Sequence, residues 1–138
     1  MSSKRKILFT GETITLVEHQ SPVFLEMIFY GYTSKEEFQH AWEKLLEILQ
    51  QRSFNHLLLD QKYMHVQPES FEWFKEKYVV KAGPLKKKLI VAIVSAVNFL
   101  GEYQVKQDAN YLSGICPKIA IQFFDDFDLA ENWLHKQA

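Results

Sequence analysis

One cysteine, Cys116, in a chain of 138 residues leaves no partner for an internal disulfide and no thiolate set for a structural zinc site. The chain must hold together by packing, and the cytoplasm is its expected location. Charge of one sign is also lacking: sixteen basic and seventeen acidic side chains leave a formal charge of -1, with no long-range field toward phosphate backbones or anionic lipid. Nucleic acid is therefore not an expected partner. The short basic runs at 4–6 and 86–88 each precede an apolar strand and read as solubilising flanks. Five scattered glycines build neither a P-loop nor a dinucleotide fingerprint, which leaves nucleotide binding only through backbone amides of another kind. No apolar run spans a bilayer, since the longest, residues 89–100, is interrupted by Ser95 and Asn98. The opening MSSKRKILFTGE has three consecutive apolar residues, too few for a signal-peptide core.

What the chain does have is apolar material, 47% of all residues, with aromatics at 14%. Disorder from low hydrophobicity is excluded, and a chain of this length can bury roughly 70% of its extended surface. Period-two alternation at Ile14 and Leu16, then at Val23, Leu25, Met27 and Phe29, predicts a β-hairpin turning through residues 19–22 and closed by Gly31. Ile7, Leu8 and Phe9 predict a short edge strand before it. Ser34 and Glu37 have the spacing of a capping box, and Phe38, Ala41, Trp42, Leu45, Leu46 and Leu49 follow on one helical face.

Beyond that helix come three strand-then-helix units. Residues 56–60 predict a short buried strand, 61–67 a loop, and Pro68 opens a second helix with Phe71, Phe74, Tyr78 and Ala82 as its inner stripe, ending at Gly83 and Pro84. Residues 89–94 predict a strand covered on both faces, 98–112 a third helix, 118–124 another strand, and a last helix follows with Asp125, Asp126 and Asp128 at its amino end. The expected fold is one α/β domain over 1–138. Its sheet is mixed and partly parallel, with five to six strands, four covering helices and an amino-terminal hairpin.

In this order, the segments HLLLD, LLLDQKYMHVQPESFEW, LIVAIV and IAIQFFDDFDLAENWL resemble the STAS-like, SpoIIAA-like proteins related to anti-sigma-factor antagonists, over about residues 9–134. The resemblance implies a STAS-like fold and a regulatory role exerted by binding another protein. In the founding antagonists an Asp-Ser-Ser-Gly signature at the start of a helix carries a phosphorylated serine. Its place here falls on Gln67, Pro68, Glu69 and Ser70, with Pro68 and Glu69 where the serines would stand. The phosphorylation switch is thus not carried over, and Ser70 reads as a first-turn serine.

Ligands of such sheets sit beyond the carboxyl ends of the parallel strands, near a reversal of strand order. That edge would gather Asp60, Tyr63, His65 and Gln67 from one loop, Ser95 and Asn98 from the next, and Asp125 with Asp126 from the last. A hydrolytic trio would have to be Ser70, His65 and Asp60, without a nucleophile elbow, so no catalytic residue is expected. His19, His40, His56, His65 and His135 show no metal-binding spacing, and no cofactor or metal is expected. The expected role is a non-enzymatic module binding a protein partner, or a second copy of itself, through Asp60, Tyr63, His65, Gln67, Glu69, Ser70 and Trp73. An exposed aromatic, Trp73 or Phe74, would add to that surface. The rival is a carrier of a small apolar ligand or lipid, using the fold as Sec14-class proteins do, with Trp42, Phe71, Trp73, Phe74, Tyr78, Phe99 and Tyr103 around a cavity.

Overall fold

The structure is a computed structural model that describes residues 4–20, 22–78, 81, 88–96, 99–115 and 118–137. Strands β1 (Arg5–Thr10), β2 (Ile14–Gln20) and β3 (Val23–Tyr32) pair antiparallel, while β3, β4 (His56–His65), β5 (Leu89–Val94) and β6 (Ile119–Phe124) pair in parallel. Spatial order follows chain order across all six strands. Crossovers of one hand that always step the same way put their helices on one side of a sheet. Accordingly α1 (Lys35–Gln51), α2 (Pro68–Trp73) and α3 (Phe99–Ile115) share a face, and only α4 (Phe127–Lys136) lies opposite. A sheet in this order never reverses, so the expected crevice at a switch in strand order does not form.

Two cores result. Ile14, Leu16, Leu25, Met27, Phe29, Leu57, Leu59, Val91 and Ile93 meet the inner stripe of α1 on one face. On the other, Phe24, Leu58, Ile90, Ala92 and Val94 meet Ala130 and Leu134 of α4. Every residue of β5 is buried, as a strand covered on both faces requires. β1 is the edge strand anticipated, its outer end carrying Arg5 and Lys6 and its pairing broken by a bulge between Ile7 and Phe9. Charges and bulges of this kind discourage edge-to-edge association.

α1 is capped as its sequence predicts, Ser34 Oγ accepting from Glu37 N at 3.1 Å, but the reciprocal half of the capping box is absent. The Glu37 carboxylate instead accepts from the backbone of Thr13 at 2.7 Å and Ile14 at 2.9 Å, and from the Thr13 hydroxyl at 3.2 Å. It thereby fastens the helix start to the β1–β2 turn. Gly11 is required there because any Cβ would collide with Glu37 Oε2. At the other end of α1, Arg52 grips the buried Glu18 of β2 through two bonds of 2.8 and 2.9 Å. The adjacent guanidinium holds the Glu18 carboxyl below its ordinary range.

Other boundaries shift from expectation. β4 runs to His65, so residues 61–65 are strand rather than loop. α3 extends to Ile115. α2 gives way at Phe74 to a π-helical turn, Phe74–Tyr78, and the expected stop at Gly83 and Pro84 lies outside the described residues. Glu37→Ala is expected to lower the unfolding free energy by about 2 to 3 kcal/mol, against about 1 kcal/mol for Ser34→Ala, in urea titrations. Equal losses would mean that the Glu37 tether contributes nothing beyond capping.

Candidate functional site

Between the pairs Ile28 with Asp60 and Tyr30 with Tyr63, β3 has one residue and β4 has two. This bulge resets the alternation of β4. Before it, Asp60 faces α4; after it, Tyr63 also takes that side, opposite Tyr30, while Gln61 and Met64 turn toward α1. β5 accompanies β4 only as far as Asp60, so the ends of β3 and β4 project beyond it as a pair. Tyr32 is 86% exposed, Tyr63 58% and Tyr30 42%. Tyr32 stacks on His65 at 4.8 Å, the Tyr30 hydroxyl bonds to that of Thr15 at 3.0 Å, and Lys62 lies over the Tyr63 ring. A groove of about 520 Å³ runs beside them, lined in part by Tyr32, Ser34, His65, Gln67 and Pro68.

The expected site residues divide. Tyr63, His65, Gln67 and Glu69 occupy this projecting end, His65 and Gln67 in the groove wall and Glu69 exposed in the first turn of α2. Asp60 is half-buried nearer the hairpin, and its carboxyl is pushed up by burial. Ser70 is a correction: it is fully buried, its hydroxyl has no hydrogen-bond partner among the described residues, and it presents nothing to a partner or to His65. Trp73 is another, half-buried and packed against the core edge-on to Phe38 at 6.1 Å, beside the buried Phe74. Among the described residues the exposed aromatics are Tyr30, Tyr32 and Tyr63, with Tyr103 and Tyr111 on α3, so Tyr103 does not line an interior cavity as expected. Alternation of Tyr30 and Tyr32 past Phe29 was the available sign of the first two.

Register does align Asp60, Val94 and Phe124, so the parallel strands end together. Backbone and capping bonds use part of what gathers there. Ser95 N donates to Phe124 O at 2.8 Å, and Asp126 caps α4 by accepting from Asp128 N at 2.6 Å and Leu129 N at 3.3 Å. Asp125 is exposed, and Asn98 lies outside the described residues. His19 is stacked on Phe24 and bonded at 2.8 Å to Glu26, whose carboxyl burial pushes up. His56 and His135 share a surface pocket with Asn55, and among the described residues no group of three ligating side chains gathers around a metal position.

On the helix side of the bulge lies a cavity of about 90 Å³ between the sheet, α1, the π-helical turn and α3. Leu45, Leu59, Val91, Ile93 and Val105 are among its walls, and Gln61, Trp42, Tyr78 and Asp108 also line it. Gln61 Oε1 and Trp42 Nε1 have no partner among the described residues. Burial pushes the Tyr78 phenol up, and it pushes the Asp108 carboxyl up to about 6 despite a hydrogen bond from Gln104 at 3.1 Å.

No protein-family model matches the chain, and no curated protein does. Among solved structures it is similar to an uncharacterized protein of the DUF3478 family with a SpoIIAA-like fold from Shewanella loihica PV-4. That likeness has a TM-score of 0.57 at 20% identity and covers 97% of this chain and 96% of the other. The fold is therefore SpoIIAA-like, a mixed α/β sheet of the STAS-like kind. No helix among the described residues is long and apolar enough to cross a membrane.

The ordinary value for Asp108 is 3.8 and its folded value about 6, so the folded chain keeps a proton that the unfolded chain has released. Over that interval stability falls as pH rises, and the full penalty applies above it. Asp108→Asn is expected to raise stability by about 1 to 2 kcal/mol at pH 7.5, allowing for partial solvation, and to change little at pH 4. Thermal denaturation at the two pH values checks this, and equal effects at both would contradict it.

Proposed function

We propose that this protein is a non-enzymatic, cytoplasmic regulatory module that works by binding another protein through the projecting ends of β3 and β4 and the start of α2. The observation that carries this reading is the exposure of Tyr30, Tyr32 and Tyr63 together on two hydrogen-bonded strands. Tyrosine brings a large amphipathic ring with few rotatable bonds, so a partner gains contact area with little loss of side-chain freedom. His65, Gln67 and Glu69 supply a polar rim, the arrangement seen around interface cores.

The SpoIIAA-like fold supports the same role, since the antagonists it resembles act by engaging a protein. Two departures bear on how it is controlled. Pro68 and Glu69 hold the places of the signature serines, and Ser70 is enclosed, so control by phosphorylation at this helix start is not part of the reading. A carrier of lipid is less well supported, because ligand pockets generally measure about 300 to 1,000 Å³, whereas the interior cavity holds about 90 Å³.

Capture from native lysate on immobilised protein tests the proposal, with Tyr32→Ala and Tyr63→Ala as separate variants and circular dichroism as the folding control. Each variant is expected to weaken capture about tenfold or more, as central aromatic truncations do. Size-exclusion chromatography of the same proteins separates self-association from a foreign partner. Wild type and variants that retain identical partners and identical elution would remove the tyrosine surface from consideration.

A further inference from the structure

We infer that two copies of this chain join through the outer edge of β6, antiparallel and about a two-fold axis at Ile121. β6 ends the six-strand order, so one side of its backbone meets no strand among the described residues. Leu89 N donates to Lys118 O at 3.2 Å and Ser95 N donates to Phe124 O at 2.8 Å, so the even-numbered residues of β6 turn their peptide groups toward β5. By alternation Ile119, Ile121 and Phe123 turn theirs outward. Such a row of free donors and acceptors is a template for another strand. At the opposite edge β1 is guarded by two basic side chains and a bulge. The IAIQFF strand has no charge, no proline and no glycine, and its pairing with β5 runs without a shift.

In one register the strand is complementary to itself. Centred on Ile121, antiparallel pairing sets that residue against its own counterpart and Ile119 against Phe123, so the outward peptide groups meet and exchange about six bonds. Ala120 then falls opposite Gln122 on the other face, where both are exposed. Lys118 and Asp125 stand exposed at the two ends of the strand. Antiparallel pairing brings the lysine of each copy beside the aspartate of the other, whereas parallel pairing would set like charge beside like. Exposed apolar groups flank the edge on both faces of the sheet. Tyr103 of α3 is 56% exposed, one turn before Lys106, whose Nζ lies over the Phe123 ring at 5.6 Å. Leu129 of α4 is 59% exposed, one turn before Trp133, which packs on Phe124 at 5.7 Å. β5 stands between this edge and the tyrosine-bearing strands, so the inference is independent of the proposed function.

Sedimentation velocity of the full chain is expected to show a dimer and nothing larger, because a two-fold contact closes on itself. Ala120→Lys with Gln122→Lys sets lysine against lysine at both exposed pairs and is expected to weaken the dimer about tenfold or more. Ala120→Lys with Gln122→Glu sets lysine against glutamate in the same register and is expected to stay within about threefold of wild type. Amide hydrogen exchange gives a reading without substitution. The amides of Ile119, Ile121 and Phe123 are expected to exchange about tenfold more slowly in the dimer than in wild type diluted below its dissociation constant. Tyr32→Ala is expected to leave the dimer intact. A wild type that stays monomeric at millimolar concentration, equal affinity of the two double variants, equally fast exchange of those three amides at both dilutions, or loss of the dimer in Tyr32→Ala would each overturn the inference.

Discussion

One additional residue in β4, opposite Phe29 of β3, decides what this molecule shows and what it hides. In an unbroken strand Asp60 and Tyr63 would face opposite sides, because side chains alternate with a period of two. The bulge brings them to one side and turns Met64 inward, while Gln61 faces inward by ordinary alternation with Leu59. The outward turn of Tyr63 and the burial of Met64 are thus two consequences of a single irregularity. They sit on adjacent residues of one strand.

The sheet's unreversed order explains why the interior is where it is. Three helices share one face, and the described part of α2 leads directly into the π-helical turn. Trp42 joins α1 to that turn, with Phe74 at 4.9 Å and Tyr78 at 5.3 Å, both edge-on. Aromatic rings fill irregular space efficiently but bring polar edges with them. The indole N–H of Trp42, without a partner among the described residues, and the raised phenol of Tyr78 are the result.

Likeness to the SpoIIAA-like fold extends over nearly the whole chain and is a likeness of scaffold. In this protein the start of α2 offers a proline, a glutamate and a hidden serine. The neighbouring strand ends offer rings instead. Fold and site are separable in this way because the scaffold depends on the buried faces, whereas the rim is free to vary.

By itself the sequence determined the hairpin, α1 with its serine cap, the fully buried β5 and the acid-capped α4, since each depends on periodicity or capping within a few residues. It did not reveal that Gln-Lys-Tyr-Met-His continues β4, for those residues have no alternation of their own and become strand only by pairing with the end of β3. Nor did it foretell that Glu37 would leave its helix for the Thr13 amide, that Ser70 would be enclosed, or that Gln61 and Asp108 would meet one cavity. Those outcomes rest on contacts between residues distant along the chain. Local propensity sets which element forms, and only packing sets which way its polar side chains turn.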